Sequence, residues 1–212
     1  MPHLIQTNSF EIISCSGLTS KNCPNVLPYS IEDLNLAQAI QDTGWPNFLS
    51  KQIHEENIKP HNKFRISISG CVNGCSQPYI FDFALIRAIT PKILDKKCNL
   101  CQHCLKICQE QALQVKNSQV IITNNCIRCG SCYLQCPYKA IISKDDGFKV
   151  FIGGHLGRSP RLARQLPGLY SIQEVVAILQ KCLHLYQKHF SQLKRFGDIF
   201  NIYPKLETFY QH

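Results

Sequence analysis

Eight cysteines between Cys98 and Cys136 fall into two runs with the same internal spacing. The first is Cys98-x2-Cys101-x2-Cys104-x3-Cys108, and the second is Cys126-x2-Cys129-x2-Cys132-x3-Cys136 with Pro137 behind it. Three thiolates spaced this way can wrap three iron corners of one cubane from a single tight loop, while the fourth opens a helix and reaches the other cubane. The repeat therefore predicts two [4Fe-4S] clusters with crossed ligand sets. Cys98, Cys101, Cys104 and Cys136 would hold one, and Cys126, Cys129, Cys132 and Cys108 the other. Zinc is a plainer reading of CxxC pairs, but eight cysteines in this pattern suit clusters better. A disulfide framework is disfavoured by the odd total of 13 cysteines, the close spacings and the absence of a secretory context.

Two-cluster bacterial ferredoxins carry this run, so residues 95–145 resemble such a domain, each half repeating a loop, a short helix and a strand, with one strand near Val120 to Thr123. Gln109 stands where a proline would follow Cys108, but that proline is not a ligand and cluster number is unaffected. Outside the runs, Cys15 and Cys23 form an x7 pair and Cys71 and Cys75 an x3 pair, which could hold one more cubane or a zinc ion between two separate loops. Cys182 lies on an apolar stripe with Ile172, Val175, Leu179, Tyr186 and Phe190, and reads as a small core residue.

The elements that must position these residues follow from periodicity. Phe64-Arg65-Ile66-Ser67-Ile68-Ser69 alternates apolar and polar residues, predicting a half-buried strand that runs straight into Gly70-Cys71. Cys71-Val72-Asn73-Gly74-Cys75 predicts a tight turn with its backbone relaxed by glycine, and a second strand is expected from Tyr79 to Arg87. Upstream, Cys15 and Cys23 sit in a loop rich in Ser, Asn, Gly and Pro. Ser30, with Asp33 three residues later, predicts a helix start leading into Leu34, Leu36, Ala37 and Ile40, stopped by Gly44 and Pro46. Residues 51–63 read as polar and irregular. Downstream, Lys144-Asp145-Asp146-Gly147 predicts a turn, Phe148 to Ile152 a strand, and Gly153-Gly154-His155-Leu156-Gly157-Arg158 a glycine-rich loop with cationic side chains. Ser171 and Glu174 form a capping box before the stripe that carries Cys182.

At 212 residues the chain has room for one ordinary domain and a small one. No segment approaches the ~20 consecutive apolar residues of a membrane span. Met1 to Ser14 lacks a basic stretch followed by an apolar run, so a cytoplasmic location is expected, where thiolates stay reduced. The net charge of +9 points to an anionic partner or substrate. The lysines and arginines are scattered, without the basic run or aromatic-basic motif of a nucleic-acid binder, so an acidic redox partner or a small oxyanion fits better.

Taken together, Cys15-Ser16-Gly17 with Cys23, Ser69-Gly70-Cys71-Val72-Asn73-Gly74-Cys75, the inserted ferredoxin run and Gly153-Gly154-His155-Leu156-Gly157-Arg158-Ser159-Pro160-Arg161 resemble the siroheme-dependent nitrite and sulfite reductases. The resemblance is to the anaerobic and dissimilatory-type sulfite reductases that carry a ferredoxin insertion. It implies a third [4Fe-4S] cluster on Cys15, Cys23, Cys71 and Cys75, with Cys75 bridging to the siroheme iron. It also implies siroheme contacts from Asn73, Gly154, Arg158 and Arg161. The family spaces its first cysteine pair by five residues, where this chain has seven. Only fourteen residues precede Cys15, so the resemblance implies a partner chain supplying the N-terminal half that helps enclose the haem; Lys21, Lys63 or Arg65 are basic side chains that could stand in at the substrate.

The expectation is an α+β siroheme/[4Fe-4S] domain over 1–94 and 146–212, interrupted by a 2[4Fe-4S] ferredoxin domain over 95–145. Its expected activity is reduction of sulfite or nitrite with electrons from a donor protein or reductase subunit. Two alternatives stand beside it: a ferredoxin-type electron-transfer subunit whose catalytic haem lies on a partner, and a protein that keeps its clusters but binds no haem.

Overall fold

The computed structural model describes residues 4–20, 22–29, 34–203 and 206–209. The expected helix start at Ser30 to Asp33, and Lys21, lie outside the described residues. In chain order the described elements are β1 (Leu4–Gln6), β2 (Phe10–Ser14), α1 (Ser16–Ser20), α2 (Leu36–Asp42), α3 (Trp45–Gln52), β3 (Phe64–Ser69), β4 (Phe83–Ile93), α4 (His103–Ile107), β5 (Leu113–Lys116), β6 (Gln119–Ile122), α5 (Ser131–Leu134), β7 (Ile141–Ile152), β8 (Arg164–Gln165), α6 (Ile172–Lys188) and α7 (Phe196–Ile202). Among the described residues no helix is long and apolar enough to cross a membrane.

A six-stranded mixed sheet runs in the order β1-β2-β3-β4-β7-β8, which makes the chain α+β. Its centre is parallel: β2 pairs with β3, and β3 with β4, while β1, β7 and β8 join antiparallel. One face of the sheet packs against α2, α3, α6 and α7 around Phe64, Ile66, Leu85, Val150 and Trp45. Trp45 is fully buried, stacks on Tyr186 at 4.7 Å between ring centroids and donates its indole N–H to the carbonyl of Ser9 at 2.8 Å, so its one polar atom is satisfied inside the core. The other face carries a smaller cluster of Phe81, Ala84, Ile86 and Phe151, covered by the segment that follows Cys75.

Several elements depart from the sequence reading for identifiable reasons. β3 spans the expected residues, yet Ser67 and Ser69 are buried as well as its apolar residues, because Ser76 packs over them and bonds both hydroxyls. The strand expected from Tyr79 starts at Phe83, since Pro78–Ile80 forms a 3-10 turn. Gly44 does separate two helices, but Pro46 opens α3, where a missing N–H costs nothing. The expected turn at Lys144 to Gly147 is instead the middle of β7, paired along β4 with one irregularity between Thr90 and Pro91. Arg87, buried on β4, holds that stretch by an ion pair to Asp146 and a 3.0 Å hydrogen bond to the Gly147 carbonyl. The ferredoxin-like stretch, with α4, the β5–β6 hairpin and α5, thus hangs from two long strands and not from a loop.

Ser171 caps α6 with Glu174 in the predicted capping box. Val175, Leu179, Cys182 and Tyr186 line its buried face as the stripe predicts. Cys182 is fully buried, and burial pushes its thiol well above the usual range. Cys182→Ala should leave iron content unchanged and lower stability by clearly less than the ~2–5 kcal/mol of a Leu→Ala core substitution. Anaerobic iron analysis and thermal unfolding of the variant check both; loss of bound iron would make Cys182 a ligand.

Candidate functional site

The two parallel strands β2 and β3 end side by side, with Ser14 in register with Ile68. Each delivers a cysteine just past its carboxyl end, Cys15 and Cys71, the edge at which open parallel sheets place ligands. The Cys15 amide donates to the Ile68 carbonyl at 2.9 Å, and the Gly70 amide points at Cys15 Sγ at 3.3 Å. Cys23 is brought to the same place by close packing, for a Cβ on Gly17 would stand 2.8 Å from Cys23 Cβ. The Leu27 amide then donates to the Gly70 carbonyl at 3.1 Å and fixes the loop across the strand end.

Cys75 follows in a turn closed by the Gly74 amide on the Cys71 carbonyl. Ser76 anchors that turn. Ser67 Oγ donates to the Ser76 carbonyl at 2.8 Å, Ser69 Oγ and Ser76 Oγ bond at 2.6 Å, and Ser76 Oγ donates to the Ile68 carbonyl at 3.0 Å. Nothing in the sequence marked this buried serine network as part of the site; the only trace was the polar half of the β3 alternation. Cys15 and Cys71 are buried, Cys23 half-buried and Cys75 exposed. Burial pushes the Cys71 thiol up, and the neighbouring Cys23, Cys75 and Cys15 push it further, so the other three sulfurs of this set lie close enough to act on Cys71.

The ferredoxin-like stretch forms two cavities whose thiols sort as the crossed sets require. Cys98, Cys101, Cys104 and Cys136 line one, an open space of about 370 Å³. Cys108, Cys126, Cys129 and Cys132 line the other, about 380 Å³. Burial raises Cys104, with Cys98 and Cys101 adding to it. Cys132 is pushed up to about 12, first by burial and then by Cys129, Cys126 and Cys104, which spans both sets. Crowded, half-desolvated thiols of this kind favour a bound cation that supplies the missing countercharge. Among the described residues no three His, Cys, Asp or Glu side chains converge as tightly as one metal ion needs.

A further polar cavity of about 630 Å³ is lined by Cys71 and Asn73 on one side and by Cys108, Cys129, Gln109, Glu110 and Gln135 on the other. It puts the Cys71 turn against the second of the ferredoxin-like sets. Asn73 is exposed beside it.

The glycine-rich stretch does not form an open cradle of amides at Gly154. Gly153 and Gly154 donate to the carbonyls of Asp82 and Phe81 at 2.8 and 2.9 Å, and His155 and Arg161 bond each other's backbone as the base of a hairpin. A Cβ on Gly154 would run into the Tyr79 carbonyl, so the glycine serves close backbone packing. Arg158 and Arg161 are exposed on the hairpin, free to meet a group outside the chain. Ala163, at its end, donates to the Tyr79 carbonyl at 2.8 Å and ties the hairpin to the segment leaving Cys75.

Lys63 and Arg65 lie at the other end of β3, roughly 20 Å of strand away from Cys71. They are engaged there: Lys63 Nζ donates to the Thr7 carbonyl at 2.7 Å, and Arg65 pairs with Glu11 at 3.1 Å. With His61, His155, Arg195 and Asp82 they line a small polar pocket. Asp82 is buried and raised to about 7 by that burial, against the lowering effect of the Arg65 amide at 2.9 Å and of the Arg65 and Arg195 charges.

The fold and the four-thiol sets define an iron–sulfur redox protein of the sulfite-reductase kind. Residues 28–202 match the nitrite and sulphite reductase 4Fe-4S domain, and the chain belongs to that family. It is similar to the coenzyme F420-dependent sulfite reductase of Methanocaldococcus jannaschii, with 31% identity over 86% of this chain and 27% of the relative. An uncharacterized ferredoxin of the same organism is 34% identical over 25% of this chain and 36% of its own length. Dissimilatory sulfite reductase I shares the fold, with a TM-score of 0.56 at 17% identity over 90% of this chain and 49% of that one. The chain thus spans about a quarter of the first relative and about half of the structural neighbour.

Asp82 gives the pocket at the far end of β3 a pH signature. The folded carboxyl holds its proton up to about 7, whereas an unfolded one loses it near 3.9. The folded state therefore binds the extra proton between those values, and stability falls as pH rises through that window, levelling off above it. Asp82→Asn, which keeps an oxygen for the Arg65 amide, should show a smaller drop in thermal midpoint between about pH 4 and about pH 7 than the parent. An equal drop in both proteins would assign the dependence to other groups.

Proposed function

We propose that this chain is a siroheme-linked iron–sulfur domain that serves the reduction of sulfite or nitrite. The observation that supports it best is the succession of three four-thiol sets, the second of which shares a cavity with the Cys71 turn. Cys98, Cys101, Cys104 and Cys136 would hold one [4Fe-4S] cluster, Cys126, Cys129, Cys132 and Cys108 a second, and Cys15, Cys23, Cys71 and Cys75 a third. Bound clusters would supply one-electron transfer without moving protons, and siroheme iron would supply a site for the anion.

The chain's own residues prepare these tasks. Buried backbone donors and the Ser67, Ser69 and Ser76 hydroxyls hold the two strand ends and the Cys71 turn rigidly, so four thiols from two loops keep one geometry. Cys75 is the exposed thiol of the set, which leaves its sulfur open to a haem iron beyond the chain surface. Asn73, Arg158 and Arg161 are the exposed polar groups available to siroheme carboxylates, and the guanidinium forks suit them. Gly154 contributes by fixing the hairpin that carries the arginines.

A second reading, an electron-transfer subunit whose catalytic haem sits mainly on a partner, draws on the same hairpin. With the Gly153 and Gly154 amides already bonded inside the chain, fewer of this chain's donors remain for a tetrapyrrole.

Anaerobically purified protein should contain about 3 × 4 = 12 cluster irons, plus one where siroheme is bound. About eight irons would remove the third cluster, and tightly bound zinc in its place would restore the simpler metal site. Cys75→Ala should abolish sulfite reduction and uncouple the haem spectrum from the neighbouring cluster, while the two ferredoxin-type clusters still reduce normally. Retention of parental turnover would end the siroheme assignment; cluster absorption without siroheme bands in the parent would favour the electron-transfer subunit.

A further inference from the structure

The two ferredoxin-like cavities face different surroundings. The Cys108, Cys126, Cys129 and Cys132 cavity is turned toward the sheet. There the Ile89 amide donates to the Arg128 carbonyl at 3.1 Å, Lys149 Nζ donates to the Ile127 carbonyl at 2.7 Å, and a Cβ on Gly130 would stand 2.5 Å from Leu27 Cδ2. The Cys98, Cys101, Cys104 and Cys136 cavity is turned away from these contacts, and Cys101, Gln102, His103 and Tyr138 on its lining are exposed.

Its rim is basic. Lys96 and Lys97 immediately precede Cys98, Lys139 follows Tyr138, and Lys106 lies on α4 two residues past Cys104, all exposed. The Leu94 amide on the Ala140 carbonyl at 2.8 Å joins the segment carrying Lys96 and Lys97 to the one carrying Lys139. Asp95 is the single acid among residues 95–107 and 136–140, so four lysines face one carboxylate. Exposed lysines are ordinarily just solvated. Here they are sequence neighbours of Cys98, Cys104 and Tyr138, which line the same four-thiol cavity as the exposed Cys101, and Tyr138 itself is 52% exposed.

We propose that this lysine rim is the docking surface for an acidic electron-donor protein that carries its redox group near its own surface. The inference rests on the proposed redox role of the Cys98, Cys101, Cys104 and Cys136 set. Transient electron-transfer encounters bury little area and gain rate and orientation from complementary rim charges, with affinity coming second. A positive rim around one small apolar and sulfur-bearing centre fits that form of contact. It also accounts for part of the net positive charge without invoking nucleic acid.

The test is binding, read by calorimetry or by a surface-coupled sensor, between the anaerobically purified full chain and an oxidised acidic [2Fe-2S] ferredoxin as probe. Affinity should fall steeply between about 0.01 M and about 1 M salt, as the Debye length shrinks from about 30 Å to about 3 Å. The combined variant Lys96→Glu, Lys97→Glu, Lys139→Glu should weaken binding at low salt by about tenfold or more and flatten the salt dependence. The control Lys181→Glu, Lys188→Glu, which makes two substitutions of the same sign on the exposed side of α6, should change it less than about twofold. An equal loss in both variants, or parental binding by the first, overturns the proposal. Iron is counted in the same samples: a chain that carries its clusters and ignores the probe loses only this surface, whereas one that binds the probe through the rim but carries no iron keeps the surface and loses the iron–sulfur reading.

Discussion

The parallel pairing of β2 with β3 is the constraint on which the rest depends. Cys15 and Cys71 are 56 positions apart, and only two strands running the same way and ending at the same level can set them side by side. A parallel pair requires a long crossover, supplied here by α1, α2 and α3, and those helices must cover the sheet for its centre to be buried on that face. Trp45 ties the crossover to Ser9 just ahead of β2, and Tyr186 from α6 stacks on its ring. Removing any layer of that packing would free the strand ends in depth and rotation, and with them the thiols.

A second constraint follows from the pairing of β4 with β7. Both strands outrun the main sheet, with register continuing from Phe83 and Ile152 out to Ile93 and Ile141. The ferredoxin-like unit is carried on that two-stranded extension. A flexible tether would allow many orientations and a wide range of separations between thiol sets. A paired ribbon, clamped by Arg87 on Asp146 and tied to the ferredoxin-like loop by the Ile89 and Lys149 hydrogen bonds, narrows that range. Under the proposed redox role, in which electrons pass between the thiol sets, the fixed path of this ribbon would set their separation, and β4 and β7 would serve function as well as architecture.

The cysteine runs, the β3 alternation and the Ser171 capping box were legible because each is local: ligand spacing, strand period and cap chemistry all act within a few residues. The strand through Lys144 to Gly147 was not. Lys-Asp-Asp-Gly has the composition of a turn, and only the tertiary partner Arg87, with an otherwise uncompensated charge on a buried strand, draws it into the ladder. Gly154 misled in the same way. Glycine beside cationic residues reads as a ligand loop, but the Tyr79 and Phe81 carbonyls that occupy its open side come from a segment 73 to 75 positions upstream. The Ser76 network was equally silent, since a serine one residue past a cysteine carries no period and no motif.

The thiol electrostatics tie folding to metal loading. Burial is the first cause of the upward shift at Cys71, Cys104 and Cys132, and neighbouring cysteines are the next raising influence at each. Metal-free, these sulfurs keep their protons near neutral pH, since ionising several in one cavity would set like charges together away from water. Iron must therefore displace protons as it binds, and loading is favoured as pH rises. The three sets differ in what awaits the metal. At the carboxyl end of the sheet, Cys15 is held by backbone hydrogen bonds to Ile68 and Gly70 that belong to the main fold. The ferredoxin-like sets sit around a small apolar group of Leu113, Val120, Cys132 and Ile141, with Ile93, Leu105 and Ile122 half-buried against it, a small core for a unit of that size. Clusters there would act as much on stability as on electron transfer, in the way structural metals do in other small domains.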